Sequence, residues 1–569
     1  MTRMEKRKTI EEKKKNRLIK WILGMAFIAS TILFYFFGPY FFSNIPGGEE
    51  EPKFNLIFDN HWHRVDFLLE ENIVFLPVEW VKEHIVEEIE VLQNPLRARV
   101  SLEKEEIVFQ EENLKEFMGS GKLAIDVSLL EKEGEKYFPL SGMDAVFHTN
   151  TIYYPEPDRV MIDLLKTPYY QGIVVEEENL RDGTDLWSRR KTVVKKGEEI
   201  RILETMEEHY YVRTEKGHIG FLPKNSLIEI RKQLPNDEEM AMAFVEPEPL
   251  DKPFGMVWEY VGNSHPDRSL DEKIPGLSVI SPTWFDLENE KGDVTGKAQF
   301  RYASYMRKRG YQIWGLVTNS FDPDMTEAFL MNREAQDRFI QQLLVYSSLY
   351  KMEGINIDFE NIHYRNQQQF TDFVQRLSEK LREQGLVVSI DVTIPGGSLN
   401  WSQVYDREQI APLVDYVCVM TYDEHWGSSP VAGSVASIGW VENGIKNTLK
   451  EVPAEKVVLG LPFYTRLWEE TKNQDGTIDV SSRALGMEYA KSILEEHHIY
   501  EEDWKWLEET GQFYAEYESE GNRYRIWLEE ERSIAKKAAL IEKYGLAGFA
   551  GWRKGFETSS IWGVLKEAI

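Results

Sequence analysis

From residue 253 to the end, short apolar runs alternate with longer amphipathic stretches. The runs occupy 254–258, 279–285, 312–318, 354–360, 387–394, 416–422, 456–464 and 548–552. Stretches such as 334–352 and 366–384 between them carry helical periodicity. Short apolar runs separated by helices suit buried parallel strands joined by crossovers. Eight of them within residues 253–569 predict a (β/α)8 TIM barrel. The acidic stretch 468–529, between the seventh and eighth runs, is expected to be a small α+β insertion. An open doubly wound sheet is disfavoured because no glycine-rich phosphate loop follows the first run.

Upstream the periodicity changes. Residues 53–170 read as a small α+β domain with a weak repeat: Phe75-Leu76-Pro77-Val78 returns as Tyr137-Phe138-Pro139-Leu140, 62 residues later. Residues 171–230 read as short strands separated by turns, and 231–252, with Pro235, Pro247 and Pro249 among acids, as a stiff linker. At the other end, residues 21–42 carry no charge, which is long enough for a transmembrane helix. The first 20 residues hold nine Lys or Arg against three Glu, so this flank is expected to stay cytoplasmic. Residues 43–52 follow as a polar linker. The expectation is a single-pass protein of the cell membrane, N-terminus cytoplasmic, with its C-terminal bulk extracytoplasmic. A cleaved signal peptide is disfavoured by the length of the run and by the absence of a small-x-small site in 35–42.

Charge and composition narrow the function. A formal net charge of -29 argues against nucleic acid as a partner. The 16 Trp and 26 Tyr suit sugar platforms, although aromatics also fill cores. The single cysteine, Cys418, lies in an apolar run and reads as a buried structural thiol. His61, His63 and His84 lack a compact ligand spacing and read as solvated, so no metal or other cofactor is expected.

The chemistry concentrates in 353–360. Ile355, Ile357 and Phe359 alternate with Asn356, Asp358 and Glu360, so a strand puts the polar three on one face. The two carboxylates, about 6–7 Å apart, repel each other and raise at least one pKa. That suits an acid that stays protonated near neutral pH. In a TIM barrel such groups gather at the C-terminal ends of the strands. The sixth run ends there in Met420-Thr421-Tyr422-Asp423 and the eighth in Gly551-Trp552.

Together, Gly354–Glu360, Met420–Asp423 and Gly551-Trp552 resemble the family-18 glycoside hydrolases, chitinase-type enzymes that cleave next to N-acetylglucosamine. The resemblance covers the C-terminal domain. Two positions depart from the family's Asp-x-x-Asp-x-Asp-x-Glu pattern: Glu353 stands at its first Asp and Asn356 at its second. Residues 53–170 resemble the small domain found at the N-terminus of copper amine oxidases, and 171–230 a bacterial SH3-type barrel that could bind the cell wall. With Asn356, these modules look most like spore-cortex and cell-wall N-acetylglucosaminidases.

The resemblance implies retaining, substrate-assisted hydrolysis of peptidoglycan or a chitin-like glycan. Glu360 acts as acid and then base, Asp358 orients the substrate amide, and Tyr422 holds the acetyl oxygen. It places Trp552 under the sugar ring and Asp423 on sugar hydroxyls. Asn356, Met420, Trp284 and Tyr464 are further candidates for the substrate site, and Trp258 and Trp426 either line subsites or pack. The rival reading is a lectin-like binder on the same fold, against which the retained Glu360 argues.

Overall fold

Eight parallel strands close on themselves in the C-terminal region of the chain, seen in a computed structural model. They are β1 (Phe254–Glu259), β2 (Leu277–Leu287), β3 (Gln312–Thr318), β4 (Gly354–Asp358), β5 (Val387–Thr393), β6 (Tyr416–Met420), β7 (Val457–Pro462) and β8 (Gly548–Trp552). Each pairs in parallel with the next, and β8 pairs with β1 to complete the barrel. All eight runs expected as strands are strands. They are largely apolar because side chains of one parity fill the barrel and those of the other face the helices. The interior is packed by Phe254, Met256, Trp258, Trp314, Leu316, Cys418, Val458 and Ala550. The Trp314 ring stacks on Tyr416 with centroids 5.5 Å apart.

The structure describes Met25 and residues 55–59, 61–156, 158–185, 187–234 and 240–569. They form two compact units. The larger combines Phe67–Phe147 with Met240–Ile569, and the smaller combines the described residues of Met1–Asp66 and His148–Glu239. Residues 53–170 are thus shared between the units.

Within the larger unit the two copies of the repeat pair with each other: Phe75, Leu76 and Pro77 stand antiparallel to Pro139, Phe138 and Tyr137. A helical segment follows each copy, Val78–His84 in one case and Leu140–Met143 leading into Asp144–Phe147 in the other. This subregion is joined to the barrel through buried Asp126. Its carboxylate takes hydrogen bonds from Arg97 and Arg99 at 2.8 Å and from the Gly296 amide at 3.3 Å. Its own amide donates to the Tyr346 hydroxyl at 2.7 Å, and Arg99 also pairs with Glu288.

Between β7 and β8 the chain builds a five-stranded antiparallel sheet and the helix Met487–Glu496. Leu467, Leu485, Ala490, Ile493, Leu494, Ala515, Ile526 and Leu528 form its core.

In the smaller unit, Tyr169–Val174 to Leu227–Gln233 make a seven-stranded antiparallel sheet, and a four-stranded sheet includes Asp158–Leu164. Asp163 accepts both guanidinium nitrogens of Arg213, at 2.8 and 2.7 Å, and pairs with Arg201 at 2.8 Å.

One expectation is corrected. Among the described residues no helix is long and apolar enough to cross a membrane, so the single-pass localisation is not supported. The stretch 21–42 and its basic flank lie outside the described residues, apart from Met25.

Asp126→Ala strands Arg97, which is itself buried, and removes the acceptor that joins the repeat subregion to the barrel. The expected loss is about 3 kcal/mol, the usual scale for breaking a buried ion pair from one side. A lower denaturation midpoint, followed by tryptophan fluorescence, checks it; an unchanged midpoint refutes it.

Candidate active site

Strand β4 is buried along its whole length, and Glu360 lies just past its C-terminal end, partly open to solvent. Gly354 starts the strand where no side chain fits: a Cβ would lie 2.7 Å from the Val387 carbonyl and 2.8 Å from the Trp314 ring. Glu353, at the base, accepts the Ile313 amide at 2.8 Å and so pins β4 to β3. This departure from the family pattern sits at the opposite end of the strand from the acids.

Asn356 is buried with all its polar valences used. Its Oδ1 accepts from Trp258 Nε1 at 2.9 Å and Ser281 Oγ at 3.1 Å. Its Nδ2 donates to Ser389 Oγ at 3.0 Å and Asp391 Oδ1 at 2.8 Å. It therefore serves the barrel's internal polar layer and has no atom free for a sugar.

The acids follow. Burial first, and then the charge of Asp286, push Asp358 up to about 7. Its Oδ1 is buried and has no hydrogen-bond partner in the protein. Burial also holds Glu360 well above the usual carboxylate range, with further pushes from Asp358, Asp391 and Asp423. Asp286 itself is held by Lys297 at 2.6 Å and Thr318 Oγ1 at 2.9 Å. Acids that keep their protons to neutral pH and above are what proton donation to a leaving oxygen requires.

Two residues that the sequence reading passed over fix the Glu360 segment. Asn319 Nδ2 donates to the Glu360 carbonyl at 2.7 Å, while its Oδ1 accepts the Glu360 amide at 3.0 Å. Buried Tyr405 donates to the Phe359 carbonyl at 2.9 Å. Asp391 is the third omission. Its signal was an acid two residues after Ser389 inside an otherwise apolar run.

The other expected residues divide by position. Tyr422 and Tyr464 pack edge to face at 6.1 Å, and Tyr464 donates to Asp423 Oδ1 at 2.6 Å. Arg466 lies 3.4 Å from the same oxygen. Trp552 is partly exposed and meets Trp258 edge-on at 6.2 Å. Met420 is partly exposed at the end of β6. Trp284 is fully buried among His265, Phe285, Tyr302 and Tyr350, which leaves it no surface to offer a sugar. Trp258 is buried too and works as a hydrogen-bond donor, whereas Trp426 is half exposed. Ligand atoms of Asp324, Glu327 and His363 lie within 4.8 Å of one another. They are at least partly exposed, and Glu327 is already paired with Arg365, which makes them an ion-paired surface cluster.

Against known proteins, residues 323–556 match the family described as glycosyl hydrolases family 18. That match makes this region a glycoside hydrolase domain similar to family 18. The chain is similar to the uncharacterized glycosylase YvbX of Bacillus subtilis, 27% identical over 331 residues, 56% of this chain and 92% of that protein. It is 24% identical to the cortical fragment-lytic enzyme of Bacillus subtilis over 260 residues, 45% of this chain and 58% of that enzyme. The chain thus spans little more than half of that relative. The crystal structure of the Bacillus megaterium QM B1551 spore cortex-lytic enzyme SleL shares the fold, with a TM-score of 0.50 at 19% identity over 57% of this chain and 76% of that one.

Asn319→Ala frees the Glu360 peptide on both sides without touching its carboxyl. Misplacing a reacting group by about an ångström costs on the order of 100-fold. The glycosidase is therefore expected to lose about 10- to 100-fold in kcat with a smaller change in KM; unchanged kcat refutes the tie.

Proposed function

We propose that the chain hydrolyses β-1,4 bonds next to N-acetylglucosamine, in peptidoglycan or a chitin-like glycan, with retention of configuration and with the substrate's acetamide as nucleophile. The observation that carries this reading is the pair Asp358 and Glu360. They are neighbouring acids at the C-terminal end of β4: burial and the charge of Asp286 raise Asp358 to about 7, and burial and the charge of Asp358 hold Glu360 well above the usual carboxylate range, toward its protonated form. Glu360 gives its proton to the leaving oxygen while the acetyl oxygen attacks the anomeric carbon and the glycosidic bond breaks. Asp358, with its unpaired buried Oδ1, accepts the acetamide N–H and balances the positive charge of the oxazolinium. Tyr422 donates to the acetyl oxygen and holds it for attack. Water then opens the ring from the other side and returns a proton to Glu360. No protein nucleophile is needed, which sets this scheme apart from the two-carboxylate one.

Trp552 is the platform for the sugar ring, and Asp423, steadied by Tyr464 and Arg466, binds hydroxyls. The relatives named for spore cortex favour peptidoglycan as the substrate. The module at 171–230 is the part we assign to wall contact, on its sequence resemblance to SH3-type barrels.

Glu360→Gln in the full chain is expected to lower the release of reducing ends from peptidoglycan or chitin oligomers by about 100-fold or more. Equal release by both proteins sinks the proposed acid. Proton NMR of the first product should show the β-anomer, and an α-anomer excludes retention. kcat/KM should be bell-shaped. Its acid limb lies near pH 7, where Asp358 takes up the proton it must lack, and its basic limb higher, where Glu360 loses the proton it must give. A profile still at its maximum two units below neutrality contradicts the role of Asp358.

A further inference from the structure

The residue at 356 is neutral, yet a carboxyl lies against it. Asp391 on β5 accepts from Asn356 Nδ2 at 2.8 Å and from Trp258 Nε1 at 3.1 Å, and the Cys418 thiol also hydrogen-bonds to it. In the parallel register Asn356 stands opposite Ser389. Continued past its last pair, Ile357 with Ile390, that register brings Asp358 and Asp391 to neighbouring positions on the same inward faces. Neighbouring strands run about 4.8 Å apart, so two buried carboxyls there cannot both ionise freely.

We propose that Asp391 is a positioning residue for the Asp358–Glu360 chemistry: it supplies, from the neighbouring strand, the third carboxyl of the site, held beside Asp358 by Asn356 and Trp258. The inference rests on the hydrolytic reading given above.

The ionisable groups acting with Asp391 are Asp358 and Glu360 from β4 and its end, Cys418 from β6, and the phenols of Tyr405 and Tyr422. Asn356 and Trp258 add neutral donors. Burial pushes Asp391 well up and the charge of Asp358 pushes it further, while the donors Asn356, Cys418 and Trp258 draw it partly back; in this scheme Asp391 holds the proton that the pair shares at neutrality. Asp358 is left charged to receive the acetamide N–H. As pH rises the three acids release their protons in succession, and each charge left behind tightens the hold on the next proton. Asp391 thereby keeps Glu360 protonated to higher pH.

Asn356 and Asp391 also fit each other as donor and acceptor, which makes the exchanged pair the sharpest test. Asp391→Asn alone turns an amide NH2 toward one of the two donors, Trp258 or Asn356, and removes an ionisable group. The double variant N356D/D391N keeps one acid and one amide but moves the acid across one strand. We expect Asp391→Asn to lower kcat/KM and move its basic limb down by about one pH unit, the scale of one nearby like charge. The double variant is expected to return the limb toward the wild-type pH. A structural role alone would lower activity equally at every pH, so an unmoved basic limb in Asp391→Asn overturns the proposal. A folded double variant whose limb stays displaced overturns it as well. Infrared spectra of the substrate-free chain at neutral pH test the shared proton without turnover. Asp391→Asn should lose one buried protonated carboxyl band, and an unchanged spectrum overturns the pair even if no glycan is cleaved. Full activity in Glu360→Gln would sink the hydrolytic reading alone.

Discussion

One indole N–H joins the strands on which the site is built. Trp258 on β1 donates to Asn356 on β4 and to Asp391 on β5, and Asn356 in turn binds Ser281 on β2 and Ser389 on β5. Four of the eight strands meet in this layer. A buried polar group without a partner costs roughly 1–3 kcal/mol, and a half-satisfied network is worse than none, so every member constrains the next. Asn suits the centre because it donates on one side and accepts on the other. An ionised Asp at 356 would offer only acceptors to a neighbour that is itself an acceptor. The neutral residue at 356 and the acid at 391 are therefore two halves of one solution.

Above this layer the chemistry changes from satisfied to unsatisfied. Asn356 has no free valence, whereas Asp358, two residues on, has a buried oxygen with no partner. The lower group fixes the strand, and the upper one is the group proposed to receive the substrate amide. The acids also push one another's protons on: Glu360 feels Asp358, Asp391 and Asp423, and Asp423 is the member of that set held by Arg466. Stability and reactivity are thus separated along a single strand, with Glu353 tying its base.

The barrel was legible because its strands are buried on both faces and so read as unbroken apolar runs. The polar alternation of β4 was legible because it breaks that rule. What the sequence could not supply was register. Asp391 is two residues from Ser389 in any reading, but only the pairing of β4 with β5, which sets Asn356 opposite Ser389 and Ile357 opposite Ile390, brings it beside Asp358. Asn319 was hidden for the same reason, since it acts on Glu360 from 41 residues away. Trp284 failed in the opposite direction: an aromatic near a strand end can face the cleft or the helices, and its packing against Tyr302 and Tyr350 places it on the helix side. The 62-residue spacing revealed a repeat, but not that the two copies pair with each other.

Glu360, the proposed proton donor, stands beyond the end of its strand. There the sheet no longer holds its peptide, and Asn319 takes over by binding both the amide and the carbonyl, as a neighbouring strand would. The Tyr405 hydroxyl does the same for the carbonyl before it. With the backbone held on these sides, the remaining freedom of Glu360 lies in its side chain, and that freedom is useful. In the proposed mechanism the same carboxyl reaches the leaving oxygen in one step and a water molecule in the next, while the peptide that carries it stays still.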